Sequence, residues 1–196
     1  MSFAEIEYRV TGRVAVVTLN RPEQLNAWTA VMGQEVRRAM EQARDDDDVR
    51  VIVLTGAGRG FCAGADMKLL SSISATGRIA ETADAPMDAN SRPDFQRKNT
   101  YFPAVPKPII AAINGPCAGL GMCFALFCDM RFAGQDAVFT TAFARRGLIA
   151  EHGMSWTLPR LIGLSAATDL LMSARKVKAD EALALGLVDR IYPADE

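Results

Sequence analysis

Histidine is almost missing from this chain: of 196 residues only His152 is one, and the four cysteines, Cys62, Cys117, Cys123 and Cys128, form no C-x-x-C pair. A structural zinc site needs several such ligands at close spacing, so that class is set aside. An excess of either charge is missing too. The 22 basic and 23 acidic residues leave a net charge of −1, which favours no polyanionic partner such as nucleic acid. No apolar run approaches the length that crosses a bilayer, and Met1 to Glu7 has no basic region leading into an apolar stretch. These absences lead to the expectation of a cytoplasmic protein with no membrane span, disulfide or metal. What is present, 49% hydrophobic and 23% charged residues, suits one substantial core, and a single domain over 1–196 is expected.

Two β-rich segments, Ile6 to Val10 and Arg13 to Leu19, flank Thr11-Gly12 and predict a hairpin at a sheet edge. A helix is expected from Thr29, a suitable cap. Its period puts Met32, Val36, Ala39, Met40 and Ala43 on one face and Arg37, Arg38 and Glu41 on the other. The run Asp45 to Asp48 has the composition of an acidic cation site, but four carboxylates in a helix-to-strand link are most simply solvated. Strands are predicted at Val49 to Thr55 and Pro108 to Ile113, then a helix at Gly119 to Phe127 and a strand at Asp129 to Ala133. Helices over Ser165 to Ala174 and Ala179 to Leu185 follow, the last closed by Gly186. Strand, helix, strand implies an α/β fold with parallel crossovers. Between about 70 and 106, serine, glycine and proline break every period, the pattern of a lid or binding loop.

The chemistry lies in two glycine-rich turns. After the β-branched run Val51-Ile52-Val53-Leu54 and the link Ala57-Gly58-Arg59-Gly60 comes Phe61-Cys62-Ala63-Gly64-Ala65-Asp66. Small residues there let backbone amides approach a ligand, and rigidly held N–H groups stabilise charge developing on a carbonyl oxygen. The second turn, Asn114-Gly115-Pro116-Cys117-Ala118-Gly119-Leu120-Gly121, leads into a helix whose N-terminus favours an anionic oxygen. A dinucleotide site at Gly56-x-Gly58-x-Gly60 fails on spacing, because Phe61 stands where the third glycine belongs.

The two turns together resemble the crotonase family of enoyl-CoA hydratases and isomerases. The likeness extends over nearly the whole chain: Asn20-Arg21-Pro22 with Leu25-Asn26-Ala27, Phe61 to Asp66, Lys107 to Gly115, Cys128-Asp129 and Ala182 to Val188 stand in the family's order. It implies a crotonase-like (ClpP/crotonase) α/β fold of repeated ββα units, a backbone oxyanion hole from the amides of Ala65 and Leu120, and an acyl-CoA thioester as substrate. It also implies a coenzyme A path past Leu25, Ala27, Ala63 and Gly64, with Asp66 fixing the loop, Gly119 and Phe143 at the site, and Lys68 or Arg21 meeting phosphate. Coenzyme A enters only as part of the substrate, no other cofactor is implied, and the assembly is expected to be a homotrimer or a dimer of trimers.

Cys123 and Phe143 stand where hydratases of the family carry glutamates, so the resemblance points away from hydration and toward isomerisation or another enolate reaction. Cys123 is most simply a packing residue, although a thiol could act as base or nucleophile. Glu151 is the candidate acid/base, with a salt bridge to Arg145 or Arg146 as its structural alternative. His152 is expected to orient or pack. Trp28, Phe102, Phe143 and Trp156 could line an apolar pocket, although core packing explains each. The alternative function is a catalytically degenerate acyl-CoA-binding protein or regulatory subunit. Relatives continue past the segment resembling 182–193 with further helices, so uncovered apolar surface is expected where this chain stops at Glu196.

Overall fold

Alternation of buried and half-buried residues builds the central sheet. In β2 (Val14–Leu19) Ala15, Val17 and Leu19 are buried, in β3 (Val51–Gly56) Ile52 and Leu54, and in β4 (Ile109–Ile113) Ile109, Ala111 and Ile113. The register aligns these rows, Ala15 beside Ile52 beside Ile109 and Val17 beside Leu54 beside Ala111, so one face of the sheet is continuously apolar. The computed structural model describes residues 2–67 and 86–193.

Six strands form this sheet in the order β1-β2-β3-β4-β6-β9, with β1 at Ile6–Thr11, β6 at Met130–Gly134 and β9 at Arg190–Tyr192. β1 and β2 are antiparallel and the other neighbours parallel. The hairpin is at the edge as expected, with its turn at Gly12-Arg13. A smaller sheet orders β5 (Cys117–Ala118), β7 (Val138–Thr140) and β8 (Val177–Lys178).

Helix α1 (Ala30–Asp45) starts where expected, Thr29 Oγ1 accepting from the Met32 amide at 3.0 Å. Its apolar stripe, Met32, Val36, Ala39, Met40 and Ala43, is fully buried. The other face is partly buried as well. Arg37 is buried with its guanidinium 5.0 Å from the centre of the Tyr101 ring, and the buried Glu35 carboxylate accepts the amides of Ala4 and Glu5 at 2.8 Å each. At the other end, Lys107 Nζ donates to the carbonyls of Ala43 and Asp46 at 2.7 and 2.6 Å, a cation where the helix dipole is negative. Asp45 pairs with Arg44 and Asp46 accepts from the Asp48 amide, so these acids serve the link itself.

Helix α2 (Leu120–Phe127) is buried along its whole length, and its Phe124 stacks on Trp28 at 4.0 Å and meets Phe102 at 5.1 Å. Trp28 and Phe102 are thus core residues. So are Met87 and Tyr101, which corrects the reading of 70–106 as a lid for its described part, since 86–105 carries core anchors. Residues 70–85 lie outside the described residues. Helices α3 (Met154–Ile162), α4 (Leu164–Ser173) and α5 (Ala179–Ala184) complete the described chain. Gly186 closes α5, its amide on Leu183 O while Leu187 N reaches Ala182 O. On α4, Leu164 and Met172 are 74% and 77% exposed, an apolar stripe at i and i+8. Among the described residues no helix is long and apolar enough to cross a membrane.

Candidate active site

The glycine link after β3 is held by two asparagines. Asn26 is fully buried: its Oδ1 accepts from the Arg21 amide at 2.8 Å, and its Nδ2 donates to the carbonyls of Ala57 at 3.0 Å and Gly60 at 2.7 Å. Asn114 Nδ2 donates to Gly56 O and Gly58 O at 2.8 Å each. The carbonyls of this turn therefore point inward to amide side chains, unlike a loop whose N–H groups cradle phosphate. Asn26→Ala would leave the Arg21 N–H and the Ala57 carbonyl unmatched, while Gly60 O keeps Asn114 Nδ2 at 3.3 Å, and we expect a loss of about 2 kcal/mol, equivalent to a melting temperature lower by about 4–8 °C, measurable by calorimetry.

From that anchor, 25–28 runs beside 63–66. Ala63 N donates to Leu25 O, Trp28 N to Gly64 O and Asp66 N to Trp28 O, at 2.8–2.9 Å. In such a parallel bridge the residue between the bonded groups, Ala65, turns its own N–H to the opposite side. A second parallel bridge joins Cys62 to Cys117, through Cys62 N to Pro116 O and Ala118 N to Cys62 O. It pulls the second glycine turn against the first. Gly64 is at φ +101°, and a Cβ there would lie 3.1 Å from Ala118 O and 3.8 Å from Leu120 N. A Cβ on Gly121 would meet Cys62 O at 2.5 Å. Only glycine permits both approaches.

The result is that the Gly64 turn packs against the start of α2, with a Cβ on Gly64 3.8 Å from Leu120 N. Leu120 is the first residue of α2, where N–H groups have no intrahelical partner. Among the described residues neither Ala65 N nor Leu120 N has an acceptor. Free donors on adjoining turns beside a helix N-terminus are the kind of groups that stabilise negative charge on an oxygen.

The remaining candidates fall around this pair. Leu25 and Ala27 are half-buried, Ala63 is exposed, and Gly64 and Gly119 are buried. Arg21 is engaged, its Nη1 meeting Asp66 Oδ2 at 3.0 Å and Ala27 O at 2.5 Å, with Glu5 3.5 Å from Nε. Arg21 thus clamps the 25–28 loop to Asp66. Lys68 lies outside the described residues. Phe143 is 7% exposed and packs against the core. Glu151 is half-buried with Oε2 3.8 Å from His152 Nε2. The alternative salt bridge is not formed among the described residues: Arg146 meets Met67 Sδ instead, and the ring near the Glu151 carboxylate is that of His152. His152 Nδ1 lies 3.5 Å from Asn99 Nδ2, and burial lowers the imidazole pKa, which keeps it neutral at neutral pH.

Cys123 lies against Glu151 through its main chain, Sγ to Glu151 O at 3.8 Å. Burial raises the thiol pKa of Cys123, as of Cys117 and Cys128, and pushes Cys62 up to about 12. A base or nucleophile role for Cys123 requires a thiolate that this site disfavours. All four thiols should therefore resist iodoacetamide at pH 8 in the native protein and react on unfolding, readable by mass spectrometry. Among the described residues no three His, Cys, Asp or Glu side chains come together as a metal site.

The family model for enoyl-CoA hydratase/isomerase matches residues 9–196. The chain belongs to the enoyl-CoA hydratase/isomerase family. Its fold is the α/β crotonase fold, since solved enoyl-CoA hydratases superpose along it; one titled EchA12_1, from Mycobacterium marinum, is 43% identical with a TM-score of 0.77 and covers 97% of this chain, which covers 81% of that one. A probable enoyl-CoA hydratase of Rhodobacter capsulatus is 38% identical over 193 residues, 98% of this chain and 70% of the relative. A rat mitochondrial protein named Delta(3,5)-Delta(2,4)-dienoyl-CoA isomerase is 38% identical over 181 residues, 90% of this chain and 55% of its own length. The chain spans roughly two thirds of such curated relatives, 64% of a probable enoyl-CoA hydratase of Mycobacterium bovis. Relatives of this one family thus carry hydratase and isomerase names at equal identity.

Proposed function

We propose that this chain is an acyl-CoA-handling enzyme that stabilises a thioester enolate, with double-bond isomerisation favoured over hydration. The reading is supported by the Ala65 and Leu120 amides, which have no acceptor among the described residues and belong to adjoining turns. A thioester oxygen accepting both N–H groups is polarised, the neighbouring α-carbon becomes more acidic, and the enolate left by proton removal keeps its charge on the held oxygen. One such donor contributes about 3–4 kcal/mol to the transition state.

Glu151 supplies the proton step in this reading. Its carboxylate takes a proton from the α-carbon of a 3-enoyl, or from the γ-carbon of a 2-enoyl in reverse. The electron pair moves through the dienolate to the thioester oxygen, and the protonated acid returns the proton at the other carbon. One carboxylate completes that cycle, whereas adding water needs a group to position the nucleophile and another to activate it. The buried Cys123 and Phe143, at the places of the hydratase glutamates, support the distinction. Electrophilic assistance comes from the amides, so the reading assigns no metal or redox cofactor. Assembly as a homotrimer or a dimer of trimers accompanies it, supported by the exposed Leu164 and Met172.

The test is a panel of saturated, 2-enoyl and 3-enoyl thioesters incubated in deuterated water and followed by mass spectrometry. Deuterium uptake with interconversion of the enoyl isomers, and no product heavier by one water, is expected. Net hydration would overturn the isomerase preference. Tight binding of all thioesters without exchange would instead identify a non-catalytic acyl-CoA binder.

A further inference from the structure

A cavity at the far end of α2 extends the site. Leu120 begins that helix and Phe127 ends it, seven residues or about 10 Å apart along the axis. Cys123 and Phe127, at i and i+4, share a face, and 151–153 runs along it: Cys123 Sγ meets Glu151 O, and a Cβ on Gly153 would lie 3.1 Å from Phe127 Cζ. The Glu151 main chain therefore lies beside the middle of α2, between its Leu120 and Phe127 ends. Beyond Phe127 opens a cavity of about 350 Å³ bordered by Phe95, Phe127, Trp156, Arg92, Arg97 and Asp94. The Leu25–Trp28 loop, which the family resemblance gives to coenzyme A, meets the same helix through Trp28 on Phe124.

These walls are not those of a simple alkyl pocket. The Arg92 guanidinium lies 5.5 Å from the centre of the Phe95 ring and 5.9 Å from that of Trp156, and Phe95 and Trp156 meet edge-on at 6.4 Å. Guanidinium planes on aromatic faces keep their N–H edges available for a planar acceptor. Arg92 Nη2 has Asp94 Oδ2 at 2.9 Å, whereas Arg97 has no carboxylate partner among the described residues. The cavity thus holds two guanidiniums against one carboxylate.

We propose that this cavity receives the distal end of the acyl group and selects a medium-length chain ending in a carboxylate, an ω-carboxyacyl thioester. The inference rests on the reading of the Ala65 and Leu120 amides as the thioester site. A chain of about nine carbons covers the ~10 Å from that site to Phe127, since bonds of about 1.5 Å at tetrahedral angles advance an extended chain by roughly 1.25 Å each. Its methylenes lie along Phe127 and Phe95, and its carboxylate completes the charge balance by accepting from Arg97 and the free edge of Arg92. A methyl end would displace water from both guanidiniums and offer no acceptor in return. A phenyl end, which could stack on Trp156, is the competing occupant.

Three thioesters of equal chain length, ending in methyl, carboxylate or phenyl, separate these cases. With the wild-type chain the ω-carboxyl substrate should have a kcat/KM about tenfold above the methyl one, the size of one charge-assisted contact at a partly open site. That ratio should fall toward unity in Arg97→Gln and in Arg92→Gln, and should shrink with added salt. A phenyl or methyl preference, or a carboxylate preference unchanged in both variants, would overturn the proposal. Arg97→Gln guards against misfolding, since Arg97 stacks on no ring. If no thioester is turned over, the catalytic reading fails separately, and calorimetric affinities for the same three ligands still decide: carboxylate preference sustains the subsite, equal affinities reject it.

Discussion

Glu151→Gln should lower isomerase turnover by about 10²–10⁴-fold, the usual contribution of a positioned acid/base, while leaving acyl-CoA affinity nearly intact. The carboxamide keeps the shape of the side chain but cannot carry a proton from one carbon to another. Structural collapse is not expected to confuse the result. The carboxylate is 39% exposed, and the contact it makes among the described residues, to the His152 ring at 3.8 Å, is long. The bond that ties this segment to α2 runs from Cys123 to the main-chain carbonyl of Glu151, which the substitution does not touch. Steady-state kinetics with a 3-enoyl thioester and calorimetric binding of a saturated one make the measurement. Unchanged turnover would remove Glu151 from the mechanism.

Replacing the amide of Ala65 by an ester, through incorporation of lactic acid at that position, should lower kcat by about 10²–10³-fold. The substitution removes one N–H and leaves every side chain in place. Ala65 N makes no hydrogen bond among the described residues, so the folded state loses only the weakening of the Gly64 carbonyl, an ester acceptor in the variant, toward Trp28 N at 2.8 Å. The same replacement at Ala63 is the informative contrast. That amide donates to Leu25 O at 2.9 Å, so its loss should appear as a lower melting temperature with a smaller effect on turnover. Equal kinetic penalties at both positions would mean that Ala65 acts through loop stability and not through a bound oxygen.

Much of this arrangement was legible in the sequence wherever a repeated pattern had a single structural solution. Alternation in Val14 to Leu19 and Val51 to Gly56 prescribes strands with one buried face, and the spacing of Met32, Val36, Met40 and Ala43 prescribes the buried stripe of α1. The two glycine turns were visible because the backbone contacts they permit, at Gly64 and Gly121, admit no side chain. Helix α3 was missed because Pro159 sits inside it and Gly153 and Gly163 flank it, all three normally helix-breaking. The strands β5 and β7–β9 have two or three residues each, too few to show a period.

Polar residues were the hardest to assign, because their roles depend on partners distant in sequence. The clamp made by Arg21 depends on Asp66, 45 residues away. The burial of Arg37 involves the Tyr101 ring. Asn26 and Asn114 stood in recognised motifs, yet their function, holding the carbonyls of 56–60, became visible only when three segments met. The cavity beyond Phe127 draws its charge from 92–97 and its aromatic wall from Trp156, so no single stretch of sequence announces it.

The central claim, that the amides of Ala65 and Leu120 together hold a thioester oxygen, is tested most directly by the infrared carbonyl stretch of an acyl-CoA carrying ¹³C at the thioester carbon. On binding, the labelled band should move to lower frequency than in free acyl-CoA, because two hydrogen bonds draw electron density onto the oxygen, and much of that shift should disappear in the Ala65 ester variant. A bound thioester whose stretch stays at its solution frequency would contradict the account.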